Sequence, residues 1–292
     1  MNFGEVLTAM VTPFNKDKSV NYEKAGQLAE YLVDNGSDGL VVLGTTGEVP
    51  TLTTSEKEKL LRIVKARVGE RAKIVAGTGS YSTAKSIEMT KKAEEIGVDG
   101  AMLVTPYYNK PPQRALDNHF RLVAQETNLP VILYNVPSRT GRNLAPETVA
   151  ELSEVDNIVA VKEASGNVSQ ATKINALTDD SFNIYSGEDC LTLPILAVGG
   201  TGVISVASHL VGTEIKEMVQ SYKAGNVKAA QKKNAKLQPV FNAMFVTTNP
   251  IPVKAALNLV GHEVGPVRPP LLDLEEELKS EIKNVLETKG LL

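Results

Sequence analysis

A lysine stands at the end of an apolar run near the middle of the chain, in the stretch NIVAVKEAS (157–165). The residues before Lys162 are of the apolar kind that fills a buried strand, so the lysine has two interpretations. It can be a core residue whose stem is packed and whose ammonium pairs with Glu163 or Glu48. Alternatively it is a nucleophile, because burial disfavours the charged amine and a neutral amine attacks a keto group to form a Schiff base. Position alone does not decide between the two.

Other polar side chains follow apolar runs in the same way. Tyr134 ends the run PVILYNVP, and its phenol is either a core group with one hydrogen bond or the proton carrier that imine formation needs. Arg139, in the loop that follows, is either a surface arginine or a bidentate clamp for a carboxylate. The stretch GTTGE (44–48) is either a tight turn or an array of hydroxyl and N–H groups that can hold a carboxylate or relay protons. Placement of all of them at one edge of a fold would favour the chemical interpretation.

The apolar runs that carry these residues are short, rich in Val, Ile and Leu, and scarcely alternate with polar residues. This pattern is typical of strands buried on both faces of a parallel sheet. Helical segments alternate with eight such runs, which predicts an α/β fold, a (β/α)8 TIM barrel with additional C-terminal helices. The rival is an open doubly wound sheet, but neither a Rossmann fingerprint nor a P-loop is present. The predicted strands are VLTAMVT (6–12), GLVVLG (39–44), AKIVAGTG (72–79), GAMLVTPYY (100–108), PVILYNVP (130–137), IVAVKEAS (158–165), FNIYSGED (182–189) and GVISVAS (202–208).

Helical patterns separate these runs and fill the chain after the last one. In the segment TTSEKEKLLRIVKARVG, Ser55 and Glu58 have the spacing of a capping box, and the apolar residues that follow share one face. No second core is evident after the last strand and no Gly/Ser-rich linker precedes that region. The prediction is therefore a barrel over residues 1–212, which carries the active site, and a C-terminal helical extension packed on it over residues 213–292. Helices are predicted at 22–35, 84–96, 112–127 and 146–152, within LTLPILAVGG, and at 213–223, 226–246, 251–260 and 274–287.

Composition narrows the classes of function. Of the 292 residues, 42% are hydrophobic and 22% are charged, which is the ordinary balance of a globular protein. The net charge is −3 and no long basic cluster occurs, so neither nucleic acid nor a membrane is an expected partner. The N-terminal residues lack a secretory signal and no run is apolar enough to span a bilayer, so a cytoplasmic protein is expected. A single cysteine, Cys190, excludes an internal disulfide, and His119, His209 and His262 share no metal-ligand spacing, so no metal is expected.

Four motifs in order carry a resemblance to known proteins. They are GTTGE after the second strand, TPYYNKP after the fourth, YNVPSRTG after the fifth and VKEASGN after the sixth. Together with AMVTPF, GGTGVISVAS and NPIPVKAAL, they resemble the dihydrodipicolinate synthase / N-acetylneuraminate lyase family over nearly the whole chain. Members of this family are class I pyruvate-dependent aldolases on a (β/α)8 barrel with extra C-terminal helices.

Within that family, the two threonines of GTTGE and Arg139 in PSRTG resemble the synthases. The resemblance implies a lyase that condenses pyruvate with L-aspartate 4-semialdehyde through a Schiff base. The product is 4-hydroxy-tetrahydrodipicolinate, the first intermediate of the diaminopimelate branch of lysine biosynthesis, and no metal or organic cofactor is required. It also implies a homo-oligomer, at least a dimer and mostly a tetramer built as a dimer of dimers, because Tyr108 crosses a subunit interface. The implied roles are Lys162 for the Schiff base, Tyr134, Thr45 and Tyr108 for a proton relay, Thr46 for the pyruvate carboxylate, Arg139 for the semialdehyde, and Gly187 and Ile204 for backbone groups near the site.

The sequence departs from the family pattern at a few positions. Val49 stands beside GTTGE where serine is common, which is not expected to remove activity. Lysine-inhibited members hold their effector with an Asn, a Glu and a nearby His, where this chain has Tyr81, Lys85 and Thr54. The ammonium of the effector would meet Lys85 instead of an acid, so weak or absent feedback inhibition is predicted.

Two alternatives to the synthase remain. One is another class I pyruvate aldolase, a 2-keto-3-deoxy-sugar acid lyase or an N-acetylneuraminate lyase. The aldehydes that these enzymes use are uncharged and offer no carboxylate for Arg139 to bind. The other, from a different class of function, is a catalytically inactive barrel that binds a small acid or acts as a scaffold.

Overall fold

Eight parallel strands form one sheet that closes into a barrel in the order of the chain. The computed structural model describes residues 2–292. Each predicted apolar run contains one strand, so the predicted (β/α)8 barrel is confirmed. The strands are β1 Val6–Ala9, β2 Gly39–Val42, β3 Lys73–Gly77, β4 Gly100–Val104, β5 Val131–Asn135, β6 Ile158–Glu163, β7 Asn183–Ser186 and β8 Gly202–Ser205.

The strands are buried on both faces, as their continuous apolar sequences indicate. Every residue of β1, β2, β5 and β8 is buried. In the pair β5 and β6, the parallel register places Leu133 beside Val161, and the two polar residues that end each strand also lie opposite one another. The strands are shorter than the predicted runs, because the last residues of each run leave the sheet and form the loop that follows it.

One α-helix follows each strand from β1 to β7, except that two follow β5. They are α1 Tyr22–Asp34, α2 Thr54–Val68, α3 Thr83–Ile96, α4 Gln113–Ala124, α5 Pro137–Thr140, α6 Pro146–Ser153, α7 Val168–Leu177 and α8 Thr192–Ala197. The capping box of α2 is formed by Thr53 and Glu56, each of which binds the backbone N–H of the other. The predicted box at Ser55 and Glu58 is wrong, because both residues lie inside the helix. The same S/T-x-x-E spacing occurs twice in this segment, and the earlier pair stands where the chain is still extended.

Helices alone follow β8, as predicted. They are α9 Ser208–Lys223, α10 Val227–Ala243, α11 Ile251–Leu259 and α12 Glu276–Lys289. Helix α9 starts earlier than predicted, and its first turn is separated from the rest by the non-helical backbone of Val211. Between residues 2 and 292, no helix has both the length and the apolar composition that crossing a membrane requires.

The contacts within the described chain define two compact units. The first consists of residues 2–5 and 73–204, and the second of residues 6–72 and 205–292. Both units contain buried apolar residues. In the first unit, Leu103, Phe120, Leu133 and Ile184 belong to one packed cluster. In the second unit, Leu7, Leu32, Val64, Met218 and Phe241 are buried.

Candidate active site

Lys162 of β6 lies beside Tyr134 of β5. The two residues are register partners on neighbouring strands, each one position before its strand ends. The Nζ atom of Lys162 lies 4.5 Å from the centroid of the Tyr134 ring, and each residue is 6% exposed. The structure therefore brings the candidate nucleophile and the candidate proton carrier together in a buried setting.

Burial determines the charge state of Lys162. It lowers the pKa of the amine from 10.5 to about 8, while the Asp189 carboxylate raises this pKa and the Arg139 guanidinium lowers it. With a pKa of about 8, roughly a tenth of the amine is neutral at pH 7, against less than about a thousandth for an ordinary lysine. The neutral amine is the form that attacks a carbonyl carbon, so the site is suited to Schiff-base chemistry near neutral pH.

The two carboxylates considered as structural partners of Lys162 hold other groups. Glu163 accepts hydrogen bonds from a backbone N–H and from two side-chain amides. Glu48 forms a buried ion pair with Lys254, with 2.9 Å between the amine and the carboxylate. These contacts favour the nucleophile over the interpretation of Lys162 as a core lysine paired with either acid.

Gly187 follows β7 and passes close to the stem of Lys162. A Cβ atom at this position would lie 3.1 Å from Lys162 Cε and 2.5 Å from Ala164 Cβ. The Gly187 N–H donates to the carbonyl of Glu163 at 2.7 Å, which holds this backbone against β6. A side chain at position 187 would clash with Ala164 and crowd the stem of Lys162, so the glycine has a steric role at the site.

The other predicted residues of the first unit lie on elements that follow the strands or in β8. Arg139 lies on the single turn α5, directly after β5. Tyr108 follows β4 with a left-handed backbone (φ 70°), and its side chain is turned to solvent, since the residue is 91% exposed. Next to it, the Tyr107 ring meets the Tyr81 ring edge to face at 5.3 Å. Ile204 is a buried residue of β8.

Thr45 and Thr46 belong to the second unit, where they form a single 3₁₀ turn with Gly47 after β2. Thr46 is buried, and its Oγ1 accepts a hydrogen bond of 2.9 Å from Asn249 Nδ2. The turn ends at Glu48, whose backbone is left-handed (φ 55°). The buried contact with Asn249 restricts the rotation of the Thr46 hydroxyl, as a fixed binding group requires.

Sequence reasoning missed a second buried lysine, Lys254. Its amine donates to Glu48 at 2.9 Å, to the carbonyl of Thr12 at 3.0 Å and to the carbonyl of Pro266 at 2.6 Å. Three acceptors engage all three protons of the ammonium group, so Lys254 stabilises the turn that ends at Glu48. The signal was present in the sequence, because Lys254 interrupts the apolar stretch IPVKAAL just as Lys162 ends another.

The histidines are packed groups. Burial lowers the pKa of His119 and of His209 from 6.5 to about 4, so both are neutral at neutral pH. His209 Nε2 accepts a hydrogen bond from the N–H of Val11, and His119 Nδ1 is bonded to the hydroxyl of Thr83. Within residues 2–292, no three His, Cys, Asp or Glu side chains are grouped so that they could hold a metal ion.

Comparison with known proteins shows the family of the chain. The model of the Dihydrodipicolinate synthetase family matches residues 2–289. The chain belongs to the dihydrodipicolinate synthetase family. A curated member, the 4-hydroxy-tetrahydrodipicolinate synthase of Desulforudis audaxviator, is 56% identical over 292 residues, which cover 100% of this chain and 99% of that protein. The resemblance carried by the sequence motifs is thereby confirmed.

Solved structures of the family have the same fold. The DHDPS of Cyanidioschyzon merolae with lysine bound superposes with a TM-score of 0.98 at 47% identity, covering 99% of each chain. The chloride-inhibited dihydrodipicolinate synthase of Acinetobacter baumannii complexed with pyruvate gives a TM-score of 0.97 at 35% identity, covering 100% of each chain. These likenesses confirm the barrel and the C-terminal helices over the full length of the chain.

Proposed function

We propose that this chain condenses pyruvate with L-aspartate 4-semialdehyde to give 4-hydroxy-tetrahydrodipicolinate, in the diaminopimelate branch of lysine biosynthesis. The observation that carries the chemistry is the buried Lys162 amine, with its pKa lowered to about 8, beside the Tyr134 ring. The choice of substrates is supported by the full-length similarity to a protein named 4-hydroxy-tetrahydrodipicolinate synthase and by a relative solved with pyruvate.

The reaction begins when the neutral amine of Lys162 adds to the keto carbon of pyruvate. The resulting carbinolamine takes a proton on its hydroxyl and loses water, which leaves an imine. Tyr134 lies against the amine, and we assign these proton transfers to its phenol. The protonated imine withdraws electrons from the neighbouring methyl group, which loses a proton and becomes the nucleophilic carbon of an enamine.

The second half joins the two substrates. The enamine carbon attacks the aldehyde carbon of the semialdehyde, a carbon–carbon bond forms, and the aldehyde oxygen takes up a proton. The amino group of the former semialdehyde then adds to the imine carbon, closes the ring and releases the amine of Lys162. Arg139 binds the carboxylate of the semialdehyde, because its planar guanidinium can donate two parallel hydrogen bonds to it.

The family resemblance supplies the remaining roles, which we adopt as part of the proposal. No metal or organic cofactor takes part in this scheme, since the imine itself withdraws the electrons. The roles are a proton relay of Tyr134 with Thr45 and Tyr108, binding of the pyruvate carboxylate by Thr46, and backbone groups near the substrate from Gly187 and Ile204.

We also infer that the chain assembles at least as a homodimer, and as a homotetramer made of two dimers, in the cytoplasm. Tyr108 supports this inference, because a bulky residue in the left-handed region is strained by about 1–3 kcal/mol. Such strain persists where it serves a function, and a neighbouring subunit that receives the exposed ring would account for both features.

Steady-state assays with pyruvate and several aldehydes test the proposal. Turnover with L-aspartate 4-semialdehyde is expected to exceed turnover with glyceraldehyde or N-acetylmannosamine, because only the semialdehyde offers a carboxylate to Arg139. The variant Arg139→Lys keeps the charge and loses the bidentate geometry, so the KM for the semialdehyde should rise while the KM for pyruvate stays the same. A preference for either uncharged aldehyde would overturn the proposed substrate and favour a 2-keto-3-deoxy-sugar acid lyase or an N-acetylneuraminate lyase.

A further inference from the structure

A buried carboxylate, Glu163, directly follows Lys162 on β6. Because successive residues of a strand point to opposite faces, Glu163 points away from the face that carries Lys162. It is 4% exposed, and its register partner is Asn135, the residue after Tyr134 on β5. At the two strand ends, Lys162 and Tyr134 therefore form a pair on one face, and Glu163 and Asn135 form a polar pair on the other.

The polar pair belongs to a cluster of four side chains, Asn135, Asn143, Glu163 and Gln170, here called the amide cluster. The Glu163 carboxylate accepts hydrogen bonds from Asn135 Nδ2 at 3.1 Å and from Gln170 Nε2 at 2.9 Å. Asn143 Oδ1 accepts from the same two amides, at 2.9 and 3.2 Å. Asn143 Nδ2 in turn donates to Gln170 Oε1 at 2.8 Å. The amide cluster thus joins the ends of β5 and β6 to α7 and to the segment after α5.

Two backbone N–H groups fix the direction of every hydrogen bond in the amide cluster. The N–H of Ser165 donates to Glu163 Oε1 at 2.7 Å, and the N–H of Leu144 donates to Asn135 Oδ1 at 2.9 Å. The terminal amide group of Asn or Gln can rotate by half a turn, which exchanges the positions of its NH2 donor and its oxygen acceptor. A backbone N–H is always a donor. Between these two backbone donors, every side-chain donor faces an acceptor only if residue 163 offers two oxygens.

A glutamine at position 163 illustrates the constraint. Its NH2 group would face the NH2 groups of Asn135 and Gln170. Rotating the terminal amide of Gln170 by half a turn, and then that of Asn143, removes the contact between two donors at one residue but creates it at the next. It ends at Asn135, which would have to turn its own NH2 towards the N–H of Leu144. One buried donor therefore always faces another, and such a contact is costly.

The amide cluster also holds both ends of the segment that carries Arg139. Asn135 is the last residue of β5, just before this segment, and Asn143 lies just after it. Gln113 adds a hydrogen bond of 2.8 Å to the carbonyl of Asn143. Glu163 is thus bonded, directly or through one amide, to both ends of the Arg139 segment and lies next to Lys162 in the chain.

We propose that Glu163 is a positioning residue, which through the amide cluster fixes the placement of Lys162 relative to Tyr134 and the placement of Arg139. This inference rests on the proposed function and adds to it a residue that acts through others. A misplacement of reacting groups by about 1 Å can cost about 100-fold in rate. Loss of the carboxylate should therefore slow the formation of the pyruvate imine and weaken the binding of the semialdehyde.

A double-mutant cycle tests the inference. Glu163→Gln leaves the donor mismatch described above, and Asn135→Asp sets two carboxylates against each other at the 3.1 Å contact. In the double variant, the carboxylate lies at position 135 and accepts from Leu144 N–H and from the new amide at 163. Half-turns of Asn143 and Gln170 then restore the remaining hydrogen bonds.

The readouts are the rate at which borohydride traps the pyruvate adduct and the KM for the semialdehyde. Each single variant should trap about 10- to 100-fold more slowly and show a raised KM, whereas the double variant should recover to within about threefold. Asp99→Asn is the matched control, because this carboxylate binds the N–H of Ile74 at 3.0 Å and precedes β4, at the opposite end of the strands. Its trapping rate should stay within about twofold of that of the unsubstituted protein.

The outcomes distinguish a positioning role of Glu163 from a purely structural one. Unchanged trapping rates in both single variants would contradict the inference, even if their melting temperatures fall, because Glu163 would then be structural only. A double variant as slow as the slower single variant, or unfolded like it, would contradict it as well. If the unsubstituted protein forms no adduct with pyruvate, the proposed function fails and this inference fails with it.

Discussion

The pH dependence of imine formation follows from the surroundings of Lys162. Burial lowers the pKa of its amine from 10.5 to about 8, a difference that corresponds to about 3 kcal/mol between the two protonation states. With pyruvate alone, the trapping rate should rise about tenfold per pH unit below this pKa and level off above it. Rates measured between about pH 6 and pH 10 by borohydride quenching and mass spectrometry give the midpoint.

Two substitutions should move this midpoint in opposite directions. Asp189 raises the pKa of Lys162 and Arg139 lowers it. Asp189→Asn removes a negative charge that favours the ammonium form, so the midpoint should fall below that of the unsubstituted protein. Arg139→Gln removes a positive charge that disfavours it, so the midpoint should rise. A midpoint near the ordinary value for lysine, or shifts of the same sign in both variants, would refute the reasoning.

Three further predictions concern other features of the site. Gly187→Ala should slow trapping of the pyruvate adduct at least about tenfold, because its Cβ would lie 3.1 Å from Lys162 Cε; a rate equal to that of the unsubstituted protein would show that the stem can move aside. Lys254→Met should lower the free energy of unfolding by about 3–5 kcal/mol, measured by denaturant titration, because it leaves Glu48 as a buried charge without its cation. Added lysine should inhibit turnover weakly or not at all in a coupled assay, because its ammonium would meet Lys85, and a millimolar inhibition constant would contradict this expectation.

The barrel was predictable because its strands are buried on both faces and therefore read as continuous apolar runs. The ends of the elements were harder to predict. The run PVILYNVP continues beyond Asn135, yet the strand stops there, because Pro137 opens α5. At α2, the repeated capping-box spacing pointed to Ser55 instead of Thr53, since local pattern alone does not say which residue is still extended. The division into a barrel at 1–212 and a helical extension at 213–292 stays a prediction.

The placement of the two candidate reactive residues was predictable, because each is a polar residue at the end of an apolar run. Lys162 ends an apolar run, and Tyr134 ends the run before it. Lys254 gave the same signal inside a helix, and only its three acceptors distinguish it from a nucleophile. The amide cluster around Glu163 was not predictable, because it depends on which donor faces which acceptor in three dimensions.

Lys162, and no other lysine, should form the Schiff base with pyruvate. Reduction with borohydride in the presence of pyruvate, followed by peptide mapping, identifies the lysine that reacts. One adduct with the mass of pyruvic acid less one oxygen atom is expected on Lys162. Lys254 is the internal control, because it is also buried but donates to three oxygens. An adduct on Lys254, or no adduct on Lys162, would exclude Lys162 as the single Schiff-base lysine.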